Sequence, residues 1–171
     1  MPSIRFFWMP AIVTLAVLLF SCGEKPKPQP VYGMGEKVTV GHLIYTVLES
    51  QWLTQLGQGA NTRVPQNRFF VVHVIITNAG GSQASVPSFT LEDEQGNSHS
   101  ELTNGDQVTQ WLGALKMVSP ADSIQGTVVF DVVPRRYRLR VLDENGQQSA
   151  LIDIPFNLTP DAPAIPQPEQ K

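Results

Sequence analysis

The stretch Asn67 to Asn78 (NRFFVVHVIITN) constrains the fold of this chain more than any other. Read with period two, Phe70, Val72, Val74 and Ile76 share one face, and Phe69, Val71, His73 and Ile75 share the other. β-branched and aromatic residues at this density favour a strand. Apolar side chains on both faces predict a central strand, with one face in the core and the other at least partly covered.

The same period recurs along the chain. Val38 and Val40 precede Gly41, and Leu43 to Trp52 (LIYTVLESQW) follows. Ser88 to Glu94 presents Phe89 and Leu91 to one side. In Ser123 to Val132, Ile124, Val128, Phe130 and Val132 alternate with Ser123, Gln125, Thr127 and Asp131. Tyr137, Leu139 and Val141 alternate with Arg136, Arg138 and Arg140, and Leu151, Ile152 and Ile154 close the series. Asn-Ala-Gly-Gly, Glu-Gln-Gly-Asn and Glu-Asn-Gly-Gln supply turns between runs. About seven short strands predict an all-β, two-sheet sandwich. One segment departs from the pattern. Val108, Trp111, Leu112 and Leu115 have helical spacing after Asp106, a possible N-cap, but Gly113 weakens a helix over residues 106–116. An irregular loop plugging the sandwich with Trp111 fits equally well.

The N-terminus predicts export. Arg5 precedes Phe6 to Phe20, an uncharged and almost wholly apolar run broken by Pro10. At about 1.5 Å per residue it falls short of a bilayer core of roughly 30 Å, which fits a signal peptide better than a membrane span. Leu19-Phe20-Ser21-Cys22 resembles the lipobox of bacterial lipoproteins, with Phe20 bulkier than is usual there. That resemblance makes Cys22, the only cysteine, the lipidated N-terminus of the mature protein. The expected organisation is a signal peptide over 1–21, the lipidated cysteine and a Pro-rich tether over 22–35, a sandwich over 36–155, and a Pro-rich disordered tail over 156–171. Two or three acyl chains bind essentially permanently, since each buried methylene contributes about 0.8 kcal/mol. In Gram-negative lipoproteins an aspartate after the cysteine often signals retention in the inner membrane. Here Gly23 implies the periplasmic side of the outer membrane, or the extracellular face of the plasma membrane in a Gram-positive cell.

Longer-range motifs add a family. Gly35-Glu-Lys-Val-Thr-Val40 opens the domain, and the Phe69–Ile76 strand ends in Thr77-Asn78. Phe89-x-Leu91-x-Asp93 leads to a Gly96 turn, and Pro120 precedes Gly126-Thr-Val-Val-Phe-Asp-Val132. Over roughly residues 33–155 this resembles the immunoglobulin-like lipoprotein domain called domain of unknown function 4352. The resemblance implies an immunoglobulin-like sandwich on an exported, anchored protein and carries over no active-site residues. One departure is Pro120-Ala121, where the family usually has Pro-Gly, so a type II turn would lose its preferred glycine. The antibody-type pair of cysteines is absent.

Chemistry is sparse. No Gly-x-Ser-x-Gly elbow, His-Glu-x-x-His pair or glycine-rich phosphate loop occurs, so no catalytic residue, metal or cofactor is assigned. A net charge of −3 gives no field for nucleic acid. His42, His73 and His99 are scattered; His73, mid-strand, reads best as a hydrogen-bonded, semi-buried histidine. Glu92-Asp-Glu-Gln-Gly-Asn97 and Asp143-Glu-Asn-Gly146 read as hairpin turns rather than calcium loops, whose ligand spacing they lack. Arg136, Arg138 and Arg140 form a row that either recognises anions or pairs with carboxylates such as Asp131. Trp52 and Trp111 are candidate aromatic contacts or core residues. The expectation is a non-enzymatic, lipid-anchored binding or adaptor domain of the bacterial envelope, contacting an envelope protein or cell-wall component. The alternative is a structural part of an envelope assembly.

Overall fold

A computed structural model describes residues 29–158. The expected signal peptide, Cys22, most of the expected tether and the expected tail from residue 159 lie outside the described residues.

The central strand is β4 (Arg68–Asn78), flanked by β3 (Leu43–Leu53) and β9 (Ser123–Val132). β2 (Val38–Val40) completes a four-stranded sheet in the order β2-β3-β4-β9. The opposing sheet has five strands: β1 (Val31–Gly33), β11 (Ser149–Ile154), β10 (Tyr137–Leu142), β6 (Thr90–Glu92) and β7 (Ser98–Ser100), in that order. A ribbon of β5 (Ala84–Val86) and β8 (Lys116–Val118) closes one end. All pairings are antiparallel except β1 with β11.

All seven expected strands are present, and four three-residue strands (β1, β5, β7 and β8) join them. β1 lies within the stretch expected to be tether. Val31 to Gly33 pairs with Leu151 to Asp153, so the sandwich begins upstream of residue 36.

The core is built from the inward rows of both sheets, including Val72, Val74 and Ile76 of β4 and Leu139 and Ile152 opposite. Trp52 stacks on Phe70 with ring centroids 4.4 Å apart. Two tyrosine hydroxyls are satisfied by backbone carbonyls, as buried polar groups require. Tyr45 donates to Leu142, tying the two sheets together, and Tyr137 donates to Val133 four residues upstream. The second bond has the form of the tyrosine corner of immunoglobulin-like domains.

Residues 101–115 form no helix. Gln107, Gln110 and Gly113 have φ of 65°, 53° and 83°, which no helix admits. Val108 and Leu112 serve different apolar clusters, and Leu115 is 93% exposed. The segment is an irregular loop, but Trp111 does not plug the sandwich. It is half-buried, lies against Gly105, and joins β9 through a parallel backbone bridge to Thr127.

Candidate functional site

A β-bulge creates the site. On β3, Leu43, Tyr45 and Val47 point into the core. The register shifts by one residue between Val47 and Glu49, leaving Leu48 as the extra residue. Beyond it the inward positions become even, and Trp52 enters the core. Glu49, Gln51 and Leu53 are thereby placed on the outer face of the four-stranded sheet. Without the bulge, strict alternation would direct Glu49 and Gln51 into the apolar core.

The outer face is a grid. Glu49 lies opposite His73, which lies opposite Thr127. Gln51, Val71 and Val129 form the next row, and Leu53, Phe69 and Asp131 the third. Phe69, Val71, Val129 and Leu56 form a second, smaller apolar cluster, which is the partial cover that the two-faced β4 sequence predicts.

Two loops wall the grid. One carries Gln55 to Gly57, pinned by paired backbone bonds between Leu56 and Arg63 (2.9 and 2.8 Å). The other runs along the free edge of β9. Leu102 N–H donates to Val129 (2.7 Å), Thr127 N–H to Gln110 (2.8 Å) and Leu112 N–H to Thr127 (3.1 Å). These bonds satisfy edge groups that would otherwise invite another strand. The close approach needs Gly126, where a Cβ would stand 2.4 Å from the Gln110 carbonyl oxygen.

Between the walls lies an open cleft of about 360 Å³. Its floor is Val71, His73 and Thr127, and Glu49 is its only carboxylate. No lysine or arginine lines it. Gln51, Gln55, Gln107 and Gln110 surround it with primary amides. His73 is hydrogen-bonded to Gln125 (2.9 Å) and more weakly to Thr127 (3.4 Å), as expected for a semi-buried histidine. Three non-glycine residues have positive φ among the described residues, and two of them, Gln107 and Gln110, stand in this wall. Such backbone costs of order 1 kcal/mol and tends to gather at functional sites.

Another hollow, of about 390 Å³, lies beside residues 80–85. Its two titratable side chains already hold each other: His42 Nδ1 lies 2.5 Å from Glu144, whose pKa is lowered by its own backbone N–H and by His42.

The sequence candidates are not brought together here. Trp52 is buried, 6% exposed, and is a core residue rather than a surface contact. Trp111 is half-buried but does not line the cleft. Arg136, Arg138 and Arg140 do form a row on the outer face of the opposing sheet, and two carboxylates engage it. Arg136 pairs with Asp153 (2.5 Å), Arg138 stands 3.9 Å from Asp153, and Arg140 binds Glu92. The Asp153 hydrogen bond and charge hold Arg136 protonated above its ordinary range. Two of the three guanidiniums are thus closely paired, and Arg138 is the least engaged, 3.9 Å from the carboxylate that Arg136 already holds. The row's partners come from β6 and β11, not from Asp131, which instead accepts the Gln66 and Asn67 N–H groups. Asp93 and Asp143 close the two acidic turns. Asp93 accepts from Gln95 and Asn97 N–H, and Asp143 from Gln147 and Gln148 N–H. Among the described residues no group of histidines and carboxylates has a metal-binding arrangement, and no helix is long and apolar enough to cross a membrane.

The family model of the domain of unknown function DUF4352 matches residues 32–144. The chain belongs to the DUF4352 family. No curated protein matches the sequence. Solved structures share the fold at low identity. The yjhA protein of Bacillus subtilis is 15% identical, with a TM-score of 0.58 over 72% of this chain and 99% of its own. An uncharacterised β-sandwich protein of Clostridium difficile is 8% identical, with a TM-score of 0.50 over 77% and 98% of the two chains. The ycdA protein of Bacillus subtilis, a proposed lipoprotein, is 15% identical with a TM-score of 0.51, over 70% of this chain and 38% of its own.

Residues on which the family resemblance rests have structural work in this chain. Asn78, fully buried at the end of β4, donates to the Ser82 and Val118 carbonyls and accepts the Gly80 N–H. The Ser119–Asp122 turn keeps the left-handed form of a type II turn despite its alanine: Ala121 has φ 56°. The cleft residues Glu49, Gln51, Gln107 and Gln110 carry no motif, so sequence inspection missed them. One signal was present. The inward apolar residues change from odd (Tyr45, Val47) to even (Trp52) within β3, which requires a bulge between them.

Proposed function

We propose that this DUF4352 chain is a non-enzymatic, lipid-anchored binding or adaptor domain of the bacterial envelope, and that the cleft on the outer face of β3, β4 and β9 holds its ligand. The observation that carries the binding role is the convergence of four glutamine amides, two threonines, His73 and Glu49 with the aliphatic Leu53, Leu56, Val71 and Val108 around about 360 Å³. That volume falls within the usual range of ligand pockets, roughly 300–1,000 Å³. Anchoring is supported by the apolar run ending at Cys22 and by the fold shared with ycdA.

A thermal-shift comparison tests the cleft. The full chain, purified from membranes in detergent, is mixed with fractions of cell-envelope extract, beside a Gln51→Arg/Gln107→Arg variant that fills the cleft with charge. At least one fraction should raise Tm for the natural chain and not for the variant. Equal responses from both proteins with every fraction reject the cleft as the site. For the anchor, mass spectrometry of the mature N-terminus should find an acylated Cys22; an unmodified cysteine or an intact leader rejects it.

A second reading, docking in an envelope assembly, is favoured by the exposure of Leu115 (93%) and Met117 (48%) beside the β5–β8 ribbon. Crosslinking from Met117 that captures one defined protein in native membranes, unaffected by the cleft variant, would support it.

A further inference from the structure

We infer that the cleft recognises a neutral, hydroxyl-rich ligand of saccharide type; this rests on the cleft being the binding site. Three observations carry it. First, charge disfavours anions. With Glu49 as the only carboxylate and no lysine or arginine in the lining, phosphates, sulfates and carboxylates would meet a like charge that no guanidinium or ammonium group offsets. Second, the donor and acceptor inventory matches hydroxyl groups. A primary amide offers a carbonyl acceptor and an N–H₂ donor side by side, and a vicinal diol donates and accepts in the same plane. Gln51 on the sheet, Gln55 on one wall, and Gln107 and Gln110 on the other place such groups around a single volume. The Thr109 hydroxyl can likewise donate or accept. Third, aliphatic side chains in the lining suit the C–H face of a pyranose ring. Leu53, Leu56, Val71 and Val108 supply apolar surface between these polar groups.

The competing ligand is a peptide, and the geometry disfavours it. Extended peptides gain affinity on β-proteins by adding a strand to a sheet edge. Here the β9 edge is already taken at Thr127 and Val129 by the loop backbone. The cleft lies over the face of the sheet, where side chains alone can recognise a ligand.

Saturation-transfer NMR on the full chain in detergent micelles provides the test, with N,N′-diacetylchitobiose, maltose, tri-alanine and inorganic phosphate as probes, the last followed by its phosphorus signal. At least one saccharide should receive saturation at its ring C–H protons. A Gln51→Ala/Gln107→Ala variant with unchanged Tm should bind it about tenfold more weakly, the loss expected for one or two neutral hydrogen bonds. A variant-sensitive response to tri-alanine or phosphate instead overturns the saccharide assignment while sparing the cleft. No variant-sensitive response to any probe also overturns it, and the cleft then stands or falls on the envelope-extract thermal shift.

Discussion

Lys116 and Glu101 make a buried ion pair, and removing either partner should expose its worth. The Lys116 side chain is fully buried and that of Glu101 is 5% exposed, with Nζ and Oε1 2.5 Å apart. Lys116 Nζ also lies 5.3 Å from the centroid of Phe89, whose N–H donates to Glu101 (3.2 Å). Lys116→Met keeps the shape of the stem but strands a carboxylate in the core. Breaking a buried pair from one side costs about 3–5 kcal/mol. At roughly 3 °C per kcal/mol for a domain of this size, Tm should fall by about 10 °C or more. Glu101→Gln should cost less, because its amide oxygen can still accept from both Phe89 and Lys116. With both changes no charge remains, and the Phe89 N–H keeps its acceptor. The double variant should then lie within about 1 kcal/mol of the natural chain, because a buried pair barely repays its own desolvation. Urea denaturation of all four proteins at neutral pH measures the cycle. A Lys116→Met cost below about 1 kcal/mol, or a double-variant cost equal to the sum of the singles, would refute the reasoning.

Ala121→Gly should stabilise the fold by about 0.5–1 kcal/mol, since relief of the left-handed strain (about 1–2 kcal/mol) exceeds the entropy glycine adds to the unfolded chain; calorimetry would show a Tm rise of a few degrees. Asp93 should make stability depend on acid. Its carboxyl is held below the ordinary range by the Asn97 side chain, the Asn97 and Gln95 N–H groups and Arg135. A lowered carboxyl contributes stability above its unfolded pKa, near 4, and loses it as pH falls through the folded value. Asp93→Asn should therefore flatten the acid limb of a Tm-against-pH curve, and an unchanged limb would count against it. Gly126→Val should push the Gln110–Leu112 wall off β9, raising amide exchange at Thr127 and Leu112 while leaving β4 protected.

Most of the sandwich was legible because burial imposes a period of two, and the runs at Leu43, Asn67, Ser123 and Tyr137 are long enough to show it. β1, β5, β7 and β8 have three residues each, and none sets two large apolar side chains two apart, as Val38 and Val40 at β2 or Phe89 and Leu91 at β6 do. The loop around Trp111 misled because Val108 and Leu112 bury their side chains in separate clusters, so their helical spacing reflects two contacts rather than one face. The arginine row was legible as a row. Its pairing was not, because β10 receives Glu92 and Asp153 from strands whose adjacency only sheet order decides. The cleft hid for a related reason: its residues come from β3, β4, β9 and two loops, and only the Leu48 bulge turns Glu49 and Gln51 toward the others.

The account turns on that cleft, and hydrogen–deuterium exchange tests it most directly. The full chain in detergent is compared with and without the envelope fraction that shifts its Tm. Protection should appear at residues 49–53, 55–57 and 107–110, with little change at residues 136–140 on the opposing sheet. Protection confined to Arg136–Arg140, or to the β5–β8 ribbon, would contradict the claim that this cleft is where the protein binds.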